Sequence, residues 1–192
     1  MVSINEAQRL HQAQMGSEDA FASLVETYQT PVYNLCYRML GDAQEAEDAA
    51  QETFWRAYQA IKRYDPQRPF ITWLLSIAAH YCIDQQRRRR LPTIDLELLP
   101  EESAPDSTPS PEKIVARTEE ELVLRKLLFE LNPQDRAAVI MRYWYDFSDQ
   151  EIAQSLSLTV SAVKSRLHRT RQLLAARWQA VQPDYLLKEE AA

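Results

Sequence analysis

Residues 148–174 read SDQEIAQSLSLTVSAVKSRLHRTRQLL, and this stretch decides which kind of fold the chain adopts. Ser148, followed three residues later by Glu151, forms a capping box that opens a short helix, which we expect to end near Leu156. After a turn, Thr159 caps a second and longer helix that we expect to reach about Gln179. Each helix has an inner face of core-forming residues: Ile152, Ala153 and Leu156 on the first, and Val163, Leu167, Thr170 and Leu174 on the second. This layout is typical of a helix-turn-helix DNA-binding unit.

The outward face of the second helix is cationic. It carries two rows of side chains: Lys164, His168 and Arg171 in one, and Ser165, Arg169 and Gln172 in the next. No acidic residue occurs from 152 to 183, although the whole chain has a formal net charge of −6. Cations here can meet phosphates, and arginine or lysine can donate hydrogen bonds to guanine edges in a major groove. The alternative is a solvated helix whose basic end complements the helix dipole.

The composition favours helices throughout the chain. Only two glycines, Gly16 and Gly41, occur among 192 residues, and the tight turns that join strands usually recruit glycine. We therefore predict an all-α fold of two small helical domains joined by an acidic, proline-rich linker. The apolar runs fall far short of the ~20 residues that a membrane span needs, and the polar N-terminus is unlike a secretory signal. The sequence predicts a cytoplasmic protein.

Metal, cofactor and enzyme motifs are missing from the sequence. Cys36 and Cys82 are isolated in apolar, helix-like contexts and are expected to be buried, reduced thiols. The three histidines, at 11, 80 and 168, stand in separate segments, so none is placed to share a metal site. A glycine-rich phosphate loop, an HExxH motif and a nucleophile elbow are also missing. We expect no metal, no cofactor and no enzymatic activity.

The segment from Leu91 to Pro111 separates the two domains. It holds five of the ten prolines and has acidic residues but no basic one, so it favours neither a helix nor a core. An acidic tether of this kind can occupy a positive channel in a partner, and a plain flexible connector is the alternative. The predicted division is a first domain at 1–91, a linker at 92–112, a second domain at 113–182 and a tail at 183–192.

Capping and breaker residues predict the remaining helices. In the first domain we expect helices over 5–15, 18–38, 42–64 and 70–90, with Pro31 interrupting the second and a loop at 65–69. In the second domain we expect helices over 119–131 and 134–144 before the two described above.

The helix that begins after Asp42 carries an acidic row. Glu45, Asp48 and Glu52 follow at spacings of three and four, which places them on one face, and Gln51 lies beside them. An acidic helix is a poor surface for DNA and a good one for a basic protein partner. The alternative to partner binding is that each carboxylate is simply solvated. For Glu45 the alternative is a role in capping the helix.

The segment from 63 to 90 interleaves arginines with aromatic side chains. Aromatic rings stack on unpaired bases with ~1–3 kcal/mol per base, and arginines hold phosphates. For Trp73, a position in the core is equally compatible with the sequence. For the run of arginines at the end of the segment, the alternative is a solvated helix terminus. The candidates are Arg63, Tyr64, Arg68, Phe70 and Trp73, with Arg87 to Arg90 at the end of the helix.

The stretch EIAQSLSLTVSAVKSRLHRTRQLL resembles the C-terminal promoter-binding domain of extracytoplasmic-function sigma factors, whose second helix recognises the −35 element. The sequence departs from that family at Ser157 and Ser161, where glycine is frequent, and we expect serine at such turns to cause modest strain. The resemblance assigns Lys164, Ser165, His168 and Arg169 to bases, and Arg166 and Arg171 to the DNA backbone.

Residues 21–58, FASLVETYQTPVYNLCYRMLGDAQEAEDAAQETFWRAY, resemble the N-terminal domain of the same family, so the likeness covers 16–90 and 119–178 in order. It implies that the loop at 64–70 captures a base of the −10 element and that the following helix faces the duplex edge. His80 stands where the family usually has asparagine, which puts the identity of the −10 sequence in question. The resemblance further assigns Glu45, Asp48, Gln51 and Glu52 to polymerase. For Arg87 and Arg88, their charge and their position just before the acidic linker predict a contact with the −10 DNA backbone.

Taken with the motifs, the resemblance implies an alternative sigma factor that binds core RNA polymerase through its β′ and β subunits, recognises and melts promoter DNA, and starts transcription. An anti-sigma factor is a further expected partner. The competing interpretation is a helix-turn-helix activator or repressor that binds duplex DNA by itself. Such a protein has no need for the acidic row or for the aromatic and arginine-rich loop.

Overall fold

The computed structural model describes residues 4–90 and 119–189, with side chains over 6–89 and 122–178. Within these ranges the regular elements are helices, which confirms the predicted all-α class. The first range contains α1 (Ile4–Gln14), α2 (Glu18–Leu40), α3 (Ala43–Ala60), a 3-10 turn (Ile61–Arg63) and α4 (Phe70–Arg90). The second contains α5 (Glu119–Glu130), α6 (Pro133–Trp144), α7 (Asp149–Leu156) and α8 (Val160–Glu189). The predicted linker at 92–112 lies outside the described residues, and the domain boundaries remain a prediction.

Local capping explains where most helices begin. The Asp42 side chain accepts a hydrogen bond from the backbone N–H of Glu45 at 2.8 Å, as expected for the start of α3. The capping box of Ser148 and Glu151 is formed in both directions, and the Thr159 hydroxyl accepts from the Ala162 N–H at 3.1 Å. These contacts involve neighbours three residues apart, which is why the sequence predicts them well.

Two predicted helix limits are wrong. Pro31 lies inside α2 and does not interrupt it. Leu24 precedes it, and Val32 and Leu35 follow it in the same buried face, so tertiary packing offsets the one hydrogen bond that proline removes. The last helix was expected to end near Gln179, but α8 continues through Pro183 to Glu189.

The two halves of the fold share one hydrophobic core. In the first half, α2 packs along both α3 and α4, and the buried residues include Leu35, Met39 and Leu75. In the second half, α8 packs against α6 and α7. Buried residues of α4 and α6 belong to the same cluster, because α6 and α7 lie against α4.

Polar contacts also cross the seam between the two halves. The guanidinium of Arg136 donates to the carbonyl oxygen of Met39 at 2.5 Å, and Arg125 donates to the carbonyl oxygen of Gly41. The last carbonyls of a helix have no partner within it, and cations favour that end of the helix dipole. Two cations of the second half therefore complement the C-terminus of α2.

Cys36 and Cys82 are both fully buried and form no disulfide, as predicted. A hydrogen bond with Cys36, together with burial, raises the pKa of the Cys82 thiol well above its usual value. The thiols therefore serve as small core side chains. Among the described residues, no helix combines the length and the apolar composition needed to cross a membrane.

Ser157 occupies the turn between α7 and α8 in the left-handed region, with φ 55° and ψ 44°. This confirms the strain expected at Ser157, because a Cβ is disfavoured in that region. The same expectation is wrong for Ser161, which lies within the first turn of α8 and has no positive φ. We expect Ser157→Gly to raise the free energy of unfolding by ~0.5–1 kcal/mol, measured by urea denaturation. The matched control is Ser161→Gly, which places glycine within the first turn of α8 and is expected to lower it by ~0.5–1 kcal/mol. A loss of stability in Ser157→Gly would contradict the assignment of strain.

Candidate nucleic-acid and protein interfaces

The helix-turn-helix is formed by α7 and α8, and α8 presents the predicted cationic face to solvent. Val163, Leu167 and Thr170 are buried against α6 and α7, so the opposite side of the helix is left open. The side chains gathered on that exposed side are those of Lys164, Ser165, His168, Arg169 and Arg171. The arrangement can contact phosphates and base edges together, since five polar groups project from two turns of one helix.

Arg166 stands apart from this exposed row. Its guanidinium donates to Oδ1 of Asp135 at 2.6 Å, and only 25% of its side chain is exposed. In this structure Arg166 is thus bound to the N-terminal turn of α6 and does not project with the other cations. The side chain of Arg166 is therefore not free to make the expected contact with the DNA backbone, because Asp135, 31 residues earlier in the sequence, binds it.

The acidic row lies on α3. Asp48 and Gln51 are exposed, while Glu52 forms an ion pair with Arg56 at 2.7 Å. Glu45 accepts a hydrogen bond from Arg89 of α4, so part of its charge is already compensated. The structure leaves Asp48 and Gln51 as the most accessible members of the row.

Beside the row runs a groove between α2 and α3 that the sequence did not predict. One part, of about 470 Å³, is lined by Tyr33, Glu47, Gln51 and Phe54 among others, and adjoins a second of about 560 Å³ at Val25. The residues that line the two parts are apolar, neutral polar or acidic, and they include three glutamates but no lysine or arginine: Glu47 in the first part, and Glu18 and Glu26 in the second. Trp55 and Tyr58 are 57% and 37% exposed, and their rings stack 6.3 Å apart. Exposed aromatic residues at the edge of an acidic groove fit a protein partner with a basic, partly apolar helix.

Two aromatic residues expected to stack on bases are in the core, which corrects the sequence-based expectation. Tyr64 is 4% exposed and Phe70 is 1% exposed. Their rings pack edge to face at 5.4 Å, and the Tyr64 hydroxyl donates to the carbonyl oxygen of Arg68 at 2.5 Å. Burial raises the pKa of Tyr64 to about 12. These rings shape the loop and offer no face for stacking, whereas Trp73 remains partly exposed beside them.

The sequence also missed the residue that holds this loop. The amide of Gln14, at the end of α1, donates to the carbonyl oxygens of Ile61 at 3.2 Å and Tyr64 at 2.8 Å. These contacts span 47 and 50 residues of sequence, so no local pattern announces them. The first helix therefore fixes the loop from the side opposite α4.

Three of the four predicted arginines around α4 are accessible: Arg63, Arg87 and Arg88 are exposed. Arg68 is half-buried, and its Nε and Nη2 atoms are enclosed without a hydrogen-bond partner within the described chain. His80 is exposed, with Nδ1 2.8 Å from the carbonyl oxygen of Ser76. The polar side chains that remain open to an incoming phosphate are thus those of Arg63, His80, Arg87 and Arg88.

Together these features define a helical DNA-binding protein of the helix-turn-helix type with a separate acidic surface on α3. Two family models match the chain: sigma-70 region 2 at residues 24–91 and sigma-70 region 4 at residues 121–174. The chain belongs to the sigma-70 family, in its extracytoplasmic-function group of RNA polymerase sigma factors.

Individual relatives agree with this assignment. The ECF RNA polymerase sigma factor SigW of Bacillus subtilis is 36% identical over 173 residues, which cover 86% of this chain and 92% of the relative. The RNA polymerase sigma-H factor of Pseudomonas aeruginosa is 33% identical over 189 residues, 95% of each chain. The solved structure of CnrH in complex with the cytosolic domain of CnrY matches with a TM-score of 0.69 and 25% identity, covering 92% of this chain and 98% of that one. The competing activator or repressor interpretation finds no support among them.

Proposed function

We propose that this sigma factor divides its work among three described surfaces: α8 for the −35 duplex, the α4 region for the −10 strand, and the α3 row for core RNA polymerase. The observation that carries the proposal is the segregation of charge. The exposed side of α8 is cationic, whereas the charged residues that line the groove beside α3 are three glutamates, with no basic residue among the lining side chains. Opposite charges on separate surfaces suit two different partners, a nucleic acid and a basic protein.

At the −35 element, Lys164, Ser165, His168 and Arg169 contact base edges, and Arg171 contacts phosphate. Their common exposure on one side of α8 supports this role. A helix of this kind enters the major groove with its N-terminal residues toward the bases. Arginine suits guanine because its two donors match the O6 and N7 acceptors.

Arg169→Ala is expected to reduce discrimination between the preferred −35 sequence and a scrambled duplex by ~1–3 kcal/mol, measured by fluorescence anisotropy at fixed salt. The matched control is Arg171→Ala, on the same exposed side of α8. It removes a phosphate contact and is expected to weaken both duplexes about equally. Equal weakening of both duplexes by Arg169→Ala would place Arg169 among the phosphate contacts instead.

At the −10 element, Arg63, Arg68, Arg87 and Arg88 hold the strand while Trp73 and His80 lie beside the bases. The exposed side chains of Arg63, Arg87 and Arg88 support this arrangement, while Arg68 is half-buried. Tyr64 and Phe70 contribute by shaping the loop from within the core. Base stacking falls mainly to Trp73, whose ring is the partly exposed member of the aromatic cluster.

On core polymerase, Asp48, Gln51 and Glu52 contact a basic surface of the β′ subunit, with Glu45 at the edge of the row. The groove between α2 and α3 accommodates the apolar side of the same partner helix. The C-terminal domain then reaches toward the β subunit. The aromatic residues Trp55 and Tyr58 extend this surface along α3.

An anti-sigma factor is proposed as a further partner, since the sigma factor RpoE of Bartonella quintana, solved with the anti-sigma factor NepR, shares this fold at a TM-score of 0.61. That structure is 18% identical and covers 83% of this chain and 96% of that one. We also propose a cytoplasmic protein that has no catalytic activity of its own and directs the chemistry of polymerase. The family to which the chain belongs supports both statements.

The proposal is tested by reconstituting the full-length chain with core RNA polymerase and measuring run-off transcription from a library of promoter fragments. Specific transcripts that need both the chain and the core enzyme are the expected result. A chain that fails to associate with core polymerase but binds operator DNA tightly by itself would overturn the proposal.

A further inference from the structure

The contact between Asp135 and Arg166 joins α6 to the DNA-facing helix. Both carboxylate oxygens of Asp135 are engaged: Oδ1 accepts from Nη1 of Arg166 at 2.6 Å, and Oδ2 accepts from the amide of Asn132 at 2.5 Å. The Asn132 side chain also accepts from the backbone N–H of Asp135 at 2.9 Å. The carboxylate is thus fixed at the start of α6 before any ligand arrives, with 18% of its side chain exposed.

Arg166 lies between Ser165 and Arg169 in the sequence, and both of these residues are exposed. Its own side chain is held by Asp135 and does not project with theirs. Arg169 lines the same cleft of about 400 Å³ as Asp135, Arg166 and Glu130. A guanidinium at this place on a long, flexible side chain would otherwise reach a phosphate next to the bases that α8 contacts. Charge-assisted hydrogen bonds in partly buried surroundings are strong, so the carboxylate keeps the side chain away.

Phosphate contacts increase affinity for every DNA sequence equally, whereas base contacts distinguish one sequence from another. Withholding one phosphate contact therefore lowers the affinity for DNA of any sequence and leaves the ratio between specific and non-specific binding unchanged. We infer that Asp135 is a positioning residue that withholds Arg166 from the DNA backbone and so limits sequence-independent binding by α8. The inference rests on the proposed role of α8 in reading duplex DNA.

The size of the effect follows from counterion release. One additional phosphate contact steepens the dependence of log K on log salt by about 0.9. At about 0.15 M salt the same contact raises non-specific affinity roughly fivefold. Asp135→Asn keeps the shape of the side chain and its bond to Asn132 but removes the charge that holds Arg166. It is expected to show both changes on DNA of any sequence, so that the ratio between specific and non-specific affinity stays the same.

The test uses the full-length chain and two fluorescent duplexes: the sequence that the wild-type chain selects from a random library, and a scrambled version. Affinities are measured by anisotropy from about 50 to 200 mM salt, the range over which one contact changes affinity roughly threefold. The melting temperature of each variant is recorded alongside. A wild-type chain that selects no sequence would contradict the proposed function of α8, and not this inference alone.

The matched control is Glu130→Gln. Glu130 lines the same cleft, carries the same charge as Asp135 and pairs with Arg177 of α8 at 3.2 Å. This pair is more exposed, with 45% of the Glu130 side chain and 62% of the Arg177 side chain accessible to solvent. Arg177 also lies about 16 Å further along the helix than Arg166, at 1.5 Å per residue. We expect Glu130→Gln to leave the salt dependence unchanged. Equal effects of Glu130→Gln and Asp135→Asn would mean that net charge alone is responsible and would overturn the inference.

The double variant Asp135→Asn with Arg166→Gln tests whether the additional phosphate contact is made by Arg166 or by its neighbour Arg169. We expect it to restore the wild-type salt dependence, because the released cation is gone. A steeper dependence that persists would assign the contact to another residue. A single Arg166→Gln variant that already flattens the wild-type dependence by about 0.9 would show that Arg166 contacts phosphate despite Asp135, and would likewise overturn the inference.

Discussion

Reversing the charge of Asp48 and Glu52 to lysine is expected to weaken binding to core RNA polymerase by at least ~100-fold, or about 2.7 kcal/mol. The two side chains lie one helical turn apart on α3, beside the groove whose lining includes Glu47 and Gln51 but no basic residue. Lysines there would face the basic surface that the acidic row is proposed to contact, and like charges at an interface cost several kcal/mol. Native gel shift or size-exclusion chromatography with purified core enzyme measures the loss.

Folding should survive this change, because neither side chain is buried. Glu52→Lys loses the ion pair with Arg56 and places like charges four residues apart, which costs only a few tenths of a kcal/mol. The matched control is the double variant Asp84→Lys with Glu130→Lys. It reverses two exposed carboxylates that lie outside the α2–α3 groove and is expected to retain core binding. Normal affinity in the Asp48 and Glu52 variant would remove the docking role from the row.

Arg136→Ala is expected to lower the free energy of unfolding by about 3–4 kcal/mol, the largest stability effect we predict. The side chain is 2% exposed, and its guanidinium covers the Phe129 ring at 4.0 Å. It donates at 2.9–3.2 Å to carbonyl oxygens at the C-terminal end of α5: those of Leu128 and Phe129, and that of Leu131 just beyond the helix. A fourth bond reaches the carbonyl oxygen of Met39 across the seam. Alanine would remove all four bonds and open a cavity in the shared core, although the Met39 oxygen would still accept from the Gln86 amide.

Urea denaturation followed by circular dichroism measures this loss. The matched control is Arg142→Ala in the same helix, since Arg142 is exposed and donates to the carbonyl oxygen of Phe147 at 2.8 Å. The expected cost there is ~1 kcal/mol. If Arg136→Ala cost no more than its control, the buried network would contribute little to stability.

The sequence predicts features that depend on near neighbours and misses those that depend on distant ones. The caps at Asp42 and Ser148 join residues three apart, so their pattern is visible in one short window. The same holds for the exposed side of α8, because helical periodicity alone separates Lys164 from the core. These two features carried the prediction of an all-α, helix-turn-helix protein.

Long-range contacts account for the corrections. Tyr64 resembles a surface aromatic residue within its arginine-rich loop, but α1 and α4 enclose it, and the Gln14 contact spans 50 residues. Arg136 is one cation among many in the sequence, and its burial follows from the meeting of α2, α5 and α6. The inward orientation of Arg166 depends on Asp135, 31 residues earlier. None of these positions carries a local signal of its tertiary partner.

The packing of α7 against α4 bears on the reach of the protein along DNA. The −10 and −35 elements lie about 25 base pairs apart, or on the order of 85 Å at 3.4 Å per base pair. Helices in contact cannot lie on both elements at that separation, so a chain bound to both has this contact broken. The 29 residue steps from Arg90 to Glu119 extend to at most about 100 Å, which is long enough for the two halves to stand that far apart while remaining one polypeptide.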